Sequence, residues 1–297
     1  MTAISATIRA SSHVPNNNAA ASKATAAENN KAGTQQHYLL GIRHAVSTAN
    51  EFMDQPGRRW GDASFLDDTA YRDAPLSITG VRQVAALREK LRLTNEQEPS
   101  LSLLRLANTT SSSTSIAAAA DWLVVVSPLT RCLQTLAGLQ EVLPATATTI
   151  VLPLCRERVY TSSDTGRSFQ TLQHEFLPYS SSSSSNHSRR RSWDWSAVDP
   201  EEVWWYNTDN DNNDSEQHEE WRPCDAGQYY AVPGEPAAVF EERMQALQTW
   251  LQARPEECIL LVTHWGVLRH LGAPNVENCG VVSLDLDQPQ GRVNDSL

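Results

Sequence analysis

Residues 38–44 read Tyr38-Leu39-Leu40-Gly41-Ile42-Arg43-His44, a short apolar run that ends on a guanidinium and an imidazole. Two further runs share this plan. Leu123-Val124-Val125-Val126 passes into Ser127-Pro128-Leu129-Thr130-Arg131, and Ile259-Leu260-Leu261-Val262 passes into Thr263-His264. Ile150-Val151-Leu152 is another short β-branched run. Continuous apolar runs without polar alternation describe strands covered on both faces. Between them lie helical patterns. One runs through Val81, Val84, Arg88 and Leu91 after a turn at Pro75 to Gly80, and a second through Leu129, Cys132, Leu133, Leu136 and Val142. A third joins Phe240, Met244, Leu247 and Leu251, and a short one spans Val267 to Leu271. This alternation predicts an α/β fold: a three-layer α/β/α sandwich around a mostly parallel central sheet.

In such sheets ligands bind beyond the carboxyl ends of the strands. The three reactive tips therefore predict one pocket that collects His44, His264, Arg43, Arg131 and several hydroxyls. The planar fork of arginine matches a pair of phosphate oxygens and stays charged when partly buried. A helix beginning just after His264 would add backbone amides that can face an anion. The predicted pocket is small, cationic and phosphate-shaped.

The rest of the chain contrasts with it. Its 297 residues hold 24 Lys and Arg against 35 Asp and Glu, a net charge of −11. That balance excludes nucleic acid or an anionic membrane as a partner held by overall charge. Aliphatic runs of four residues are far short of the ~20 that span a bilayer. Mean hydropathy is −0.44. The five cysteines, at 132, 155, 224, 258 and 279, are odd in number and form no C-x-x-C. They predict neither a disulfide framework nor a structural zinc site, and place the protein in a reducing, cytoplasmic setting.

Four polar tracts dilute the folded part: residues 1–36, 94–119, 180–192 and 207–220, or 89 residues together. They bury too little apolar area to offset the entropy of ordering. The expected organisation is a low-complexity tail over 1–36, one domain over 37–288 carrying the other three tracts as insertions, and a short tail over 289–297. The first tract is Ser-rich and acid-poor, so organelle targeting is an alternative to a plain disordered tail. Asp209 to Asp214 with Glu220 resembles a calcium loop but has Asp214 where glycine is required, so no metal is expected there. The tryptophans from Trp193 to Trp205 are expected to pack rather than stack on bases, because Asp194, Asp199, Glu201 and Glu202 would repel a phosphate backbone.

The order of these residues resembles the histidine phosphatase superfamily, also called the phosphoglycerate-mutase-like family. Arg43-His44-Ala45-Val46-Ser47-Thr48-Ala49-Asn50 is similar to its R-H-G-x-S-x-x-N signature, with Ala45 in place of the usual glycine. The likeness continues through Pro75 to Gln83, the S-P-L-x-R-x-x-Q-T pattern of Ser127 to Thr135, Cys155-Arg156-Glu157, and Val262 to Gly266. The pieces are short; their joint occurrence in order is what carries the resemblance. It implies a phosphoglycerate-mutase-like fold and a metal-independent phosphatase, needing no cofactor, that acts on a small phosphorylated substrate. It implies His44 as a nucleophile that becomes phosphohistidine. Arg43, Arg131 and His264 would clamp the phosphoryl oxygens, with Ser47 and Asn50 lining the near side. Glu157 would be the proton donor; Glu141 and Asp164 are rival acids. Asp164 and Arg167 would sit near the substrate's non-phosphate end. A phosphoglycerate-type mutase and a non-catalytic phosphate-binding protein are alternatives, and substrate identity and oligomeric state stay open.

Overall fold

The computed structural model describes residues 38–58, 68–93, 121–176, 192–207 and 234–285. The N-terminal tail lies outside these residues, as do nearly all of the three insertions and the last residues of the chain. A six-stranded sheet organises what is described. Its strands are β1 (Tyr38–Arg43), β2 (Trp122–Val126), β3 (Thr148–Val151), β4 (Trp193–Asp194), β5 (Cys258–Thr263) and β6 (Val281–Leu284). Their spatial order is β4-β3-β2-β5-β1-β6. All pairings are parallel except that of β6 with β1. The helices are α1 (Thr48–Met53), α2 (Ile78–Leu93), α3 (Thr130–Leu139), α4 (Phe169–Phe176), α5 (Ala237–Gln252) and α6 (Trp265–His270).

Successive strand residues point to opposite faces, and each face has its own helices. Leu40, Ile42, Val124, Val126, Leu260 and Val262 pack with residues of α2, α3 and α4, including Leu91, Leu133 and Leu172. Leu39, Leu123, Val125, Ile259 and Leu261 pack with Phe240, Met244, Leu247 and Leu251 of α5 and Val267 and Leu268 of α6. This is the expected three-layer α/β arrangement with a mostly parallel sheet. Each fully buried Leu, Ile or Val contributes about 1.5–3 kcal/mol, so packing on both faces, more than strand propensity, selects these apolar runs.

Two strands had no counterpart among the expected ones. β6 is only partly buried and lies at the antiparallel edge. β4 is two residues long and comes from the tryptophan-rich segment. Those tryptophans pack as expected: Trp193 stacks on Phe176 at 5.7 Å, Trp195 meets Phe169 edge-on at 6.0 Å, and the Trp204 indole donates to the Arg167 carbonyl at 2.9 Å. No helix among the described residues is long and apolar enough to cross a membrane.

Strand order decides where the tips go. β5 lies between β1 and β2, with Arg43 beside Thr263 and Val126 beside Val262. Arg43-His44, Ser127 and His264 therefore leave the sheet side by side at its carboxyl edge.

Candidate active site

His44 follows β1 directly, and its N–H donates to the Thr263 carbonyl at 2.9 Å. Its Nδ1 lies 2.8 Å from the Ala45 carbonyl oxygen. A carbonyl only accepts, so Nδ1 carries the hydrogen and Nε2 keeps its lone pair. Nε2 has no hydrogen-bond partner among the described residues. The residue is 5% exposed. Burial, then the neighbouring Arg131 and Arg43 guanidiniums, hold its pKa well below the ordinary 6.5, against the opposing pull of the Ala45 hydrogen bond. The result is a neutral imidazole with one free nitrogen.

The backbone after His44 is tied down on several sides. The Ala45 N–H donates to Thr135 Oγ1 and the Val46 N–H to Gln83 Oε1. The Val46 carbonyl accepts from the Ser77 N–H at 3.0 Å. A Cβ on Gly80 would lie 2.0 Å from that same carbonyl oxygen, so only glycine permits the approach. Ala45 itself needs no glycine: positive φ among described non-glycine residues is confined to Asp73 and Cys279.

The His264 ring stands 5.1 Å from that of His44 and is fully buried. Its Nε2 shares a 2.8 Å hydrogen bond with Ser127 Oγ, so the end of β2 orients the imidazole at the end of β5. Burial first, then Arg131 and His44, depress its pKa as well. Arg131, in the first turn of α3, gives Nη1 to the Ser163 carbonyl and Nη2 to Asp164 Oδ1, both at 2.7 Å. Arg43 gives Nη1 to the Val276 carbonyl at 2.9 Å, while its buried Nε has no partner among the described residues.

Glu157 lies beyond β3. Its carboxylate accepts from the Arg158 N–H at 3.0 Å and the Gly266 N–H at 3.1 Å. The amide at the start of α6 thus faces an anion, but the anion is the protein's own carboxylate rather than a bound phosphate. Burial, then the Asp164 charge, raise the Glu157 pKa; the two amides and Arg131 oppose this. The shift is towards the protonated carboxyl relative to an exposed glutamate, the direction a proton donor needs.

The other expected residues take more indirect places. Ser47 caps α1 reciprocally with Asn50, so Ser47 Oγ and Asn50 Oδ1 are spent on the cap. The Asn50 amide nitrogen is uncommitted among the described residues. Asp164 grips Arg131 and also accepts the Tyr160 and Thr161 amides. Arg167 pairs with Asp73 at 2.9 Å and Glu175 at 2.8 Å. Of the rival acids, Glu141 is exposed and Asp164 is bound to Arg131, which leaves Glu157 as the buried carboxyl held, among the described residues, by amides alone.

Several site residues escaped sequence reasoning. Asp73 is buried at φ 44° and accepts the Thr130 N–H and hydroxyl, which fixes the start of the helix that carries Arg131. Its only local signal is an acid in a turn just before Ala74-Pro75. Glu235, Arg156 and Arg243 form a buried cluster behind Glu157. Gly234-Glu235-Pro236 opening a helix was its visible trace. Among the described residues no three His, Cys, Asp or Glu side chains are grouped to hold a metal ion.

No protein-family profile matches the sequence, and neither does any curated protein. Solved structures do align across most of the chain. The alpha-ribazole phosphatase from Shigella flexneri is 18% identical, with 84% of this chain and 90% of that one covered at a TM-score of 0.39. The mycobacterial glucosyl-3-phosphoglycerate phosphatase is 15% identical, with 84% and 90% covered at a TM-score of 0.38. A Thermus thermophilus protein, TTHB049, is 18% identical, with 85% and 96% covered at a TM-score of 0.36. At such scores function has to be argued from the side chains themselves.

Proposed function

We propose that this chain is a histidine-type phosphatase that hydrolyses a small phosphorylated metabolite through a phosphohistidine on His44. The observation that carries the reading is the neutral His44 with Nε2 open, set among Arg43, Arg131 and His264 at one sheet edge. In the first step Nε2 attacks phosphorus and the ester P–O bond breaks. Glu157 gives its proton to the departing oxygen, which would otherwise leave as a poor alkoxide. In the second step water attacks phosphorus, the Glu157 carboxylate takes a proton from it, and the N–P bond breaks to release inorganic phosphate. The guanidiniums balance charge on the phosphoryl oxygens throughout, and such positioning supplies much of the rate in phosphoryl transfer.

Phosphate release from sugar phosphates, nucleotides and simple phosphoesters tests the reading, combined with a quench in alkaline detergent after brief exposure to radiolabelled substrate, half of each sample then being acidified. The expected result is free phosphate together with a protein-bound label that acid removes. Absence of label, or label that survives acid, overturns it. Conversion of 3-phosphoglycerate to 2-phosphoglycerate without free phosphate would make the protein a mutase instead.

Gly266 supplies a second check. A Cβ there would lie 2.3 Å from Glu157 Oε1. Gly266→Ala is expected to displace the carboxyl and lower kcat/KM on phenyl phosphate by about 10²-fold, the scale of a 1 Å misplacement. Turnover equal to wild type would show that the carboxyl does not depend on this seat.

A further inference from the structure

Glu235 lies just ahead of α5 and is completely buried. Its carboxylate accepts two parallel bonds from Arg156, Nη1 at 2.6 Å and Nη2 at 2.9 Å. Arg243 adds Nε and Nη2, both at 3.1 Å, and the Val159 N–H completes the set at 3.2 Å. The Glu235 backbone joins in: its N–H donates to the Val159 carbonyl at 2.8 Å, and its carbonyl accepts Arg158 Nε at 2.8 Å. These partners flank Glu157 on both sides.

The two guanidiniums then reach the segment that carries Glu157. Arg243 Nη1 donates to the Leu154 and Arg156 carbonyls, each at 2.8 Å, and Nη2 reaches the Glu157 carbonyl at 3.4 Å. Arg156 Nη1 donates to the Glu157 carbonyl at 3.0 Å. Residues 156–159 contain no helix turn or strand around Glu157, so no regular ladder fixes it. Among the described residues the carboxyl itself has two amide contacts, one of them from its own neighbour Arg158.

An expensive buried charge cluster is thus spent on an irregular loop whose reactive member it does not touch through the side chain. We infer that Glu235, acting through Arg156 and Arg243, is a positioning residue that holds Glu157 at the leaving-group oxygen. The inference rests on the reading of Glu157 as proton donor, and it makes a prediction that a purely stabilising cluster would not.

A misplaced acid harms only those esters that need a proton. Phenyl phosphate leaves as a basic phenoxide; p-nitrophenyl phosphate, of nearly the same shape, leaves readily without help. The measure is kcat/KM, which excludes hydrolysis of the later phosphoenzyme. Two variants are used with the full chain, Glu235→Gln and Arg243→Lys. The second keeps the charge but cannot span the carbonyls that Arg243 bridges. Glu157→Gln is measured beside them, and thermal melting and near-ultraviolet circular dichroism check folding.

In whichever variant folds, kcat/KM on phenyl phosphate is expected to fall roughly 10–100-fold, with a change under about 3-fold on p-nitrophenyl phosphate. Glu157→Gln is expected to show the same pattern more strongly. An equal change on both esters, or none on either, in a folded variant overturns the positioning role while leaving Glu157 as donor if its own variant discriminates. If Glu157→Gln fails to discriminate, the donor assignment falls and this inference with it. Failure of both cluster variants to fold, even with Arg243→Lys retaining the charge, would assign the cluster to stability and also overturn the inference.

Discussion

His44→Ala is expected to lower turnover by roughly 10⁴-fold or more, the scale seen when a covalent nucleophile is removed, and to abolish the acid-labile label. The site offers no substitute for its Nε2: His264 is fully buried and its Nε2 is engaged by Ser127. What remains after the change is the guanidinium pair of Arg43 and Arg131, which can balance charge but cannot accept phosphorus. Folding should survive, because among the described residues the imidazole makes one hydrogen bond, worth about 1 kcal/mol net, and the loop around it is held by Thr135, Gln83 and Ser77. The same substitution has a signature in stability. Both His44 and His264 are held well below 6.5, whereas in the unfolded chain they bind protons near that value. Below about pH 6.5 the unfolded state therefore carries more protons, so the stability these rings contribute is complete above that pH and is lost as pH falls. Glu157, raised in the native state, acts in the opposite sense: its contribution is present at low pH and is lost as pH rises through its native value. His44→Ala removes one of these two histidines, so urea midpoints followed from pH 7 to pH 5 should fall less steeply than in wild type. Wild-type turnover in a folded variant would remove His44 as nucleophile.

What could be read in the sequence follows from what each residue must satisfy locally. Leu123 to Val126 and Ile259 to Val262 announce themselves because a strand between two helical layers tolerates no polar alternation. His44, Arg131 and His264 were legible for a related reason: a polar residue directly after such a run must lie at the sheet edge, whatever the strand order. The order itself was not legible. Nothing in the neighbourhood of β5 says that it lies between β1 and β2, although that is what seats the two imidazoles 5.1 Å apart. β6 was missed because Val281, Val282 and Ser283 are partly exposed and present no pattern that separates a strand from a loop. The residues behind the site were hidden by distance along the chain. Arg156 meets Glu235 across 79 positions and Arg167 meets Asp73 across 94, and a buried ion pair leaves no periodicity in either partner's surroundings. Asp164 shows the intermediate case. Its neighbourhood marks it as part of the site, but only the fold reveals that its partner is Arg131.

That pair makes possible a separation of stability from catalysis. Arg131→Met is expected to lower kcat/KM by roughly 10³–10⁵-fold, the range for an arginine that neutralises a phosphoryl group in transfer. Of the five guanidinium N–H donors, one on Nη1 goes to Ser163 and one on Nη2 to Asp164. Among the described residues the other three have no partner and can meet phosphoryl oxygens, whereas methionine supplies none. The variant should also be less stable by about 3–5 kcal/mol, because the Asp164 carboxylate is left buried without its counter-charge. Its two backbone amides persist but do not neutralise it. Asp164→Asn retains an oxygen for those amides and removes the charge. The double variant Arg131→Met/Asp164→Asn should therefore regain most of the lost stability, measured by urea denaturation, while kcat/KM stays as low as in Arg131→Met. Asp164→Asn alone should fall between, because Arg131 keeps its charge and its Ser163 contact but loses the ion pair that aims it. The two readouts part only if the guanidinium acts on the substrate. Were activity to return with stability in the double variant, Arg131 would be a structural cation and the phosphate clamp would have to be built from Arg43 and His264 instead.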